Sequence, residues 1–496
     1  MGVSSMFKSG LSSIIACMLS TSMALAEVST PLAVVDPGAH QQALENYREL
    51  TDQAIQLNLA MRAAPAGRAQ ASLQPMFSAQ QGSWPFEPFV HNGLFRAIAG
   101  YQNQHPRAVV IRGGTISLAQ LHAQLDNERV LSRHDNGYLL HFPLMIEPDA
   151  ALLVENTQLH LYSNSGTALI NRGQLILRQA GLHGYNDGQP HTTDRPYRPF
   201  VINWAGSQLQ IEGAELSRLG YNEHLSRGIS SARSTQQGSD ISPARVMVTD
   251  SRFSDMSVGL ELSQALARVE TSAFEDMQQY ALDLADSGFV LAHNRVAGVR
   301  NNSGIRISGR SDGLVEHNRV LKASKSAIEV SLLNGNIIVR SNQIGGNSGY
   351  GLLLRDLSAS SRLVFENNLI GNTQLTAIDG GGLHQGMLVN NRIMGTPEYA
   401  ISIRNEQRLS GPLQLTGNHL EQVGKAMIRI EGVNHLVLGE NRYLANPLQQ
   451  NLLIGDLLPF QAELLEATLK QGCLVAVDMA QRAAQDRPPL VCPGRS

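Results

Sequence analysis

Residues 294–330 read NRVAGVRNNSGIRISGRSDGLVEHNRVLKASKSAIEV, and this stretch decides the fold. Asn294-Arg295-Val296 returns 24 residues later as Asn318-Arg319-Val320, and Gly304-Ile305-Arg306-Ile307 returns as Ala327-Ile328-Glu329-Val330. Working outward, the first pattern runs from Ser251-Arg252-Phe253 and Ser272-Ala273-Phe274 through Asn342, Asn368, Asn391 and Asn418 to Asn441-Arg442-Tyr443. Its spacings are 21, 22, 24, 24, 26, 23, 27 and 23 residues. The second runs from Gly259-Leu260-Glu261-Leu262 to Ala400-Ile401-Ser402-Ile403. A period of this size is that of a solenoid, and apolar/polar alternation is that of a half-buried strand.

The period leaves no room for a crossover helix, and the Leu-x-x-Leu-x-Leu frame of leucine-rich repeats is absent. An Asn at a fixed place in each short coil, with 45 Gly in the chain, predicts an all-β right-handed parallel β-helix over residues 105–458. The Asn column reads as an amide ladder inside the turns.

A solenoid needs caps at both ends. Asp36 and Pro37 with apolar spacing from Ala43 to Leu57 predict a helix over residues 36–63, taken as a cover for the front. Residues 64–90 read as a linker or wrap within an N-terminal extension, 27–104. Residues 107–125 read as a strand, a Gly-Gly turn and a short capping helix; Phe460 to Gln471 reads as a helix in a C-terminal cap, 459–496.

Residues 1–26 carry Lys8, an apolar run from Leu11 to Leu25 and Ala24-Leu25-Ala26 before Glu27, the pattern of a cleaved export signal; Cys17 offers a rival lipid-attachment reading. No later segment has the length and hydrophobicity of a membrane helix, so no membrane insertion is expected after cleavage. Cys473 and Cys492 then remain, and in an oxidising compartment are expected to pair, worth roughly 3 kcal/mol of loop entropy. With 39 basic and 42 acidic residues there is no global field for nucleic acid. No metal-ligand spacing and no glycine-rich phosphate loop is visible, so no metal and no cofactor are expected.

Outward residues of the second pattern stack coil on coil as Glu261, Asp283, Arg306, Glu329, Leu353 and Asp379, with Ser263, Ala285, Ser308, Ser331, Arg355, Gly381 and Arg404 in a parallel row. The bland reading is a solvated salt-bridge stripe. The alternative is a groove wall for an elongated polar polymer, because small residues interrupt the stripe.

The segments VVIRGGTISLAQL (109–121), RPFVINWAGSQLQIEGAELSRLGY (198–221) and Gly228-Ile229-Ser230 resemble the periplasmic mannuronan C5-epimerases of alginate-producing bacteria, and the likeness continues to about residue 450. The resemblance implies a β-helix acting on a polyuronate in the periplasm, an anionic polysaccharide partner and a setting among exopolysaccharide-export proteins. It also implies a catalytic His in an Asp-Pro-His-Asp motif and an Arg on the next coil. Here the matching residues are Asp283-Leu284-Ala285-Asp286, so both carboxylates are kept and the His is Ala285; Arg310 falls where the Arg is expected.

Inverting C5 of a uronate requires neutralising the carboxylate, removing a proton and returning one from the opposite face. Arg suits the first task. Tyr280, His224 and His293 are the candidates for a replacement base, and Tyr221, His224, Arg227, Glu261, Arg306, Glu329 and Arg355 for substrate contacts. A lyase, which needs the same neutraliser and base, and a non-catalytic polymer-binding scaffold stay open beside the epimerase. Paired carboxylates for hydrolysis exist in Asp283 and Asp286, but the fuller motif of β-helix pectin hydrolases is missing.

Overall fold

Three short strands and three corners make one coil. Tyr280–Ala285, Gly288–Ala292 and Arg295–Val299 pair in parallel with Ile305–Gly309, Asp312–Glu316 and Arg319–Ala323 of the next. We call the faces they build first, second and third. The computed structural model describes residues 31–77, 82–188, 196–221, 224–480, 490 and 492. The export signal expected over residues 1–26, Cys17 included, lies outside them. The described chain is a parallel β-helix of about 13 turns. Inward side chains such as Leu282, Leu284, Phe289, Leu291 and Val296 form one continuous core.

The Asn column is the predicted ladder. Asn294 Nδ2 donates to Asn318 Oδ1 at 3.0 Å, and the same bond repeats through Asn342, Asn368, Asn391 and Asn418 to Asn441. Each amide also bonds backbone, as Asn342 Nδ2 does to Val315 O at 2.9 Å. All of these Asn side chains are buried, so the bonds satisfy groups that are costly to strand.

The N-terminal segment departs from the sequence expectation. Leu32–Val35 pairs antiparallel with Leu474–Asp478, which itself pairs with Ala426–Gly439 at the rear of the solenoid. Helix α1 (Pro37–Ala54) opens where Asp36 accepts from Ala39 N at 2.8 Å. It lies on the second face of the later coils, with Leu44 and Ile55 against Ile338, Val364 and Met387. The expected front cap is therefore a strap that starts at the rear.

The helix stops at Ala54, short of Ala63, because solenoid side chains take up the backbone beyond it. Arg62 N donates to Gln208 Oε1, Gln174 Nε2 to Ala63 O and Thr115 Oγ1 to Pro65 O. The strap ends in Gln70–Pro75, antiparallel to Arg107–Arg112 in the first coil. Gly114, at φ +102°, has room for no side chain: a Cβ there would stand 2.6 Å from Gly67 O where the strap crosses.

Helices α2 (Glu87–His91) and α3 (Leu94–Gln102) cover the front of the first face. Phe89, Leu94 and Ile98 pack on Val110, Met145, Ile170 and Ile202, the outward positions of the first coils. Helix α4 (Leu118–Leu125), with a Ser117/Gln120 capping box, seals the front by burying Leu118 and Leu121. At the rear, α5 (Gln461–Leu465) continues as a wide helical turn, Glu466–Lys470, and buries Phe460, Leu464 and Ala467. Cys473 and Cys492 are bonded, Cα to Cα 6.1 Å. Among the described residues no helix is long and apolar enough to cross a membrane.

Candidate functional site

The outward column of the first face changes character where the α2/α3 cover ends. After Ile202 it continues as Ser230, Glu261, Asp283, Arg306, Glu329, Leu353, Asp379, Ser402 and Arg429, each in register with the next. Coils stand about 4.8 Å apart, so these side chains are in direct reach of their neighbours. The parallel row Ser263, Ala285, Ser308, Ser331, Arg355 and Gly381 is also in register, with Arg404 extending it. Four small residues make its first part a shallow trough.

Asp283 is the centre of the charged floor. It is 3% exposed, and Arg306 holds it with two bonds, Nε to Oδ1 at 2.7 Å and Nη2 to Oδ2 at 2.6 Å. Arg227 approaches Oδ2 at 3.4 Å and pairs mainly with Glu261, which also accepts from Ser230 Oγ. Tyr280 lies under the Arg306 guanidinium, 4.5 Å from its carbon to the ring centre, and its hydroxyl accepts from Nη1 at 3.3 Å. Burial raises the Asp283 carboxyl above its ordinary range, with Arg306 pulling against it. Burial also raises the Tyr280 phenol, again opposed by Arg306.

The pairing repeats along the face. Glu329 accepts from Ser303 Oγ at 2.6 Å and from Lys325 Nζ at 2.9 Å. Asp379, as buried as Asp283, is held by Arg355 at 2.5 Å and by Arg404 at 3.6 Å. Beyond Leu332 and Arg355 the floor opens into a cleft of about 950 Å³ reaching Arg404 and Glu431.

Arg310 stands apart from this lattice. It follows Gly309 at the corner after the strand, and its backbone N–H donates to Asp286 Oδ1 at 2.8 Å. Its side chain is 78% exposed, with Nε 4.0 Å from the same oxygen. The arginine on Asp283 is thus Arg306, and Arg310 flanks the trough beside Ala285. A strand from Tyr280 to Ala285 rises roughly 17 Å at about 3.3 Å per residue. Tyr280 is thus rooted at one edge of the floor and Arg310 at the other, and the Tyr280 hydroxyl reaches inward to the Arg306 guanidinium.

The histidine candidates sit elsewhere. His224, at φ 52°, packs its ring 3.8 Å from that of His91 in α2, and burial, then His91, lowers its affinity for a proton. Tyr221 packs on Tyr197 at 5.1 Å. Both belong to the junction with the α2/α3 cover. His293 stacks on His317 at 5.0 Å, at the corner between the second and third faces. Sequence reading had not singled out Ser303, Gln279 or Lys325, which bond the floor carboxylates and Arg227. Nor did it see the cover, whose one signal is the run Pro85-Phe86-Glu87-Pro88-Phe89. Among the described residues no group of three or more His, Cys, Asp or Glu is placed to hold a metal ion.

Residues 234–387 match the family model described as a right handed beta helix region, which sets the hand of the coil. A mannuronan C5-epimerase of Pseudomonas putida is 22% identical, over 84% of this chain and 85% of its own length. One from Pseudomonas aeruginosa is 27% identical, the match spanning about half of each: 51% of this chain and 48% of the relative. Among solved structures, a single-residue mutant of the periplasmic alginate epimerase AlgG superposes with a TM-score of 0.67 at 19% identity, covering 80% of this chain and 97% of that one. That likeness carries the fold.

Proposed function

We propose that this chain is a polysaccharide C5-epimerase of the mannuronan type, holding an anionic polymer along the first face and inverting C5 of a uronate unit. The carrying observation is Arg310, an exposed guanidinium beside the small-residue trough, with the Asp283–Arg306–Tyr280 cluster at the centre of the same floor. The homologous epimerases support the same chemistry.

In this reading Arg310 pairs with the substrate carboxylate and makes the adjacent C5–H more acidic. Ala285 offers no proton acceptor. Tyr280 takes that task as a phenolate, stabilised by the Arg306 guanidinium over its ring; Asp283 keeps Arg306 in place. The carbanion is reprotonated by water from the open side of the groove, and the tyrosine proton passes to solvent. No bond of the sugar chain breaks, so the product keeps its length. Glu261, Glu329, Arg355 and Arg227 position the polymer, while Tyr221 and His224 meet it only at the covered end. The groove works in the periplasm, a setting that the Cys473–Cys492 bond suits.

The test is incubation of the protein in deuterated water with polymannuronate and with a polysaccharide bearing scattered uronates, followed by NMR. Deuterium at C5 with unchanged chain length supports the epimerase, and Arg310→Ala and Tyr280→Phe should each lower the rate at least about 100-fold. An unsaturated product would replace it with a lyase. Binding without exchange on either polymer would leave a polymer-binding scaffold.

A further inference from the structure

We infer that the polymer for which this groove is built carries its carboxylates sparsely, separated by uncharged sugars. This rests on the reading that the first face holds a polysaccharide, and it names the charge density of that ligand.

A polyuronate presents a carboxylate on every sugar. A groove for it needs cations left uncommitted along its length, because an arginine already paired to a buried carboxylate offers no net charge. On the two outward rows and the turns that flank them, most of the described cations are paired to acids; besides Arg310, the exceptions are Arg233, whose guanidinium bonds the carbonyls of Gly238 and Ile241, and the exposed Arg300. Arg227 is paired to Glu261, Arg306 to Asp283, Lys325 to Glu329, Arg355 to Asp379 and Arg429 to Glu431, while Arg404 shares Asp379 with Arg355 and lies in a cleft with Asp356 and Glu406. Laying a second row of carboxylates here means displacing buried acids from their arginines, which strands charge out of water. Arg310 is the loosest of the set, at 4.0 Å and 78% exposed, and it provides for one carboxylate.

The cleft beyond Arg310 argues the same way. Its lining carries Asp356, Asp379, Glu406 and Glu431 against Arg355 and Arg404. A further uronate is repelled there, while hydroxyl groups find donors and acceptors throughout.

Leu332 stands at the mouth of this cleft and is an independent sign. The corner after each groove strand places a residue in the left-handed region: Asp286 at φ 50°, Gly309 at 67°, Asp356 at 55° and Gly382 at 70°. Leu332 occupies that place at φ 52° and is 68% exposed. A branched apolar side chain in this conformation, turned to water, is strained and gains no burial, so packing does not explain it. It gives apolar surface to the C–H face of a pyranose and no charge to meet a carboxylate.

The experiment compares binding of the full protein to three oligosaccharides of equal length by calorimetry at low and high salt. One is all mannuronate, one is the neutral mannose oligomer, and one carries a single mannuronate among mannoses. The singly charged oligomer should bind about tenfold more tightly than the all-uronate one at low salt, the gap narrowing as salt screens repulsion. Leu332→Gly relieves the backbone, so it should keep or raise the melting temperature and weaken the singly charged oligomer about fivefold. Tightest binding by the all-uronate oligomer, falling steeply with salt, overturns the inference, as does an unchanged affinity of the glycine variant. Such a result with C5 exchange intact leaves the epimerase reading standing. Preference for the singly charged oligomer without exchange sinks the chemistry and keeps the charge inference, and no binding by any of the three removes both.

Discussion

Arg306 reaches across one coil to hold Asp283 through both of its carboxylate oxygens, in a place where the carboxylate is 3% exposed. Removing one partner of such a pair strands the other. Asp283→Ala, which leaves both Arg306 and Arg227 short of a counter-charge, should cost about 3 kcal/mol in urea unfolding. Replacing Asp283 and Arg306 together by Leu and Met should cost clearly less than the single change. An equal or larger loss in the double variant would show that the pair holds the coils together in its own right.

Tyr280 sets the pH profile of any turnover. Burial lifts its phenol above the ordinary 10.0, so the phenolate becomes more abundant at every step up in pH through neutrality. The exchange rate should rise with pH and reach no plateau below about pH 10. A bell-shaped profile centred near neutrality would assign the base to another group.

Asn342 is in mid-ladder. Its Oδ1 accepts from Asn318, and its amide nitrogen bonds Val315 O and Asn368. Asn342→Ala takes the acceptor from two buried N–H groups of Asn318 and a donor from the Val315 carbonyl, and about 3 kcal/mol of stability should be lost. Arg340→Ala, on the outer surface two residues away, is the control. A loss no larger than the control's would mean that the ladder adds little beyond strand pairing.

That ladder was legible in the sequence because it needs one residue type at one place in every coil. So were the outward rows, since alternation fixes which side chains share a face. Two features escaped. The stacked column placed Arg306 one coil on from Asp283, but alternation alone could not show that it holds both carboxylate oxygens, and with coil spacings of 21 to 27 residues the count to Arg310 is only approximate. Register shifts at Gly228/Ile229 and Ser308/Gly309 add to that uncertainty. The strap escaped for another reason: Arg62 on Gln208 and Thr115 on Pro65 are contacts between distant parts of the chain, and no local pattern encodes them. Helical apolar spacing runs from Ala43 to Leu57, and the tertiary bonds override it after Ala54.

Acid should weaken the fold at the front coils. His160 and His183 stand on the third face in neighbouring coils, beside His134 and Tyr185. Burial is the main cause that drives both imidazoles down to about 4, and the charge His183 would carry adds to it at His160. Between about 6.5 and 4 the unfolded chain binds protons that the folded chain refuses. Their neutral state therefore costs nothing above that window, and stability falls as the pH drops through it. The melting temperature should decline over this range, and a His160→Asn, His183→Asn variant should decline less steeply. Parallel curves would clear these two residues of the effect.

The strap makes a prediction about local unfolding. Helix α1 is held to the second face by Leu44 in an apolar pocket, by Arg48 on Glu366 at 2.7 Å, and by Tyr47, whose hydroxyl accepts from Leu363 N. None of these contacts is needed for the coils to pair with one another, because Asn336–Arg340 and Arg362–Glu366 are bonded in parallel through their own backbones. Undocking is thus an event separate from unfolding of the solenoid. Leu44→Ala removes the apolar anchor and should weaken docking by about 2 kcal/mol. Hydrogen exchange should then speed up some thirtyfold across Pro37–Ala54, with the strands beneath it unchanged. If those strands also exchange faster, α1 is part of the cooperative core, and the solenoid depends on a segment that begins at its far end.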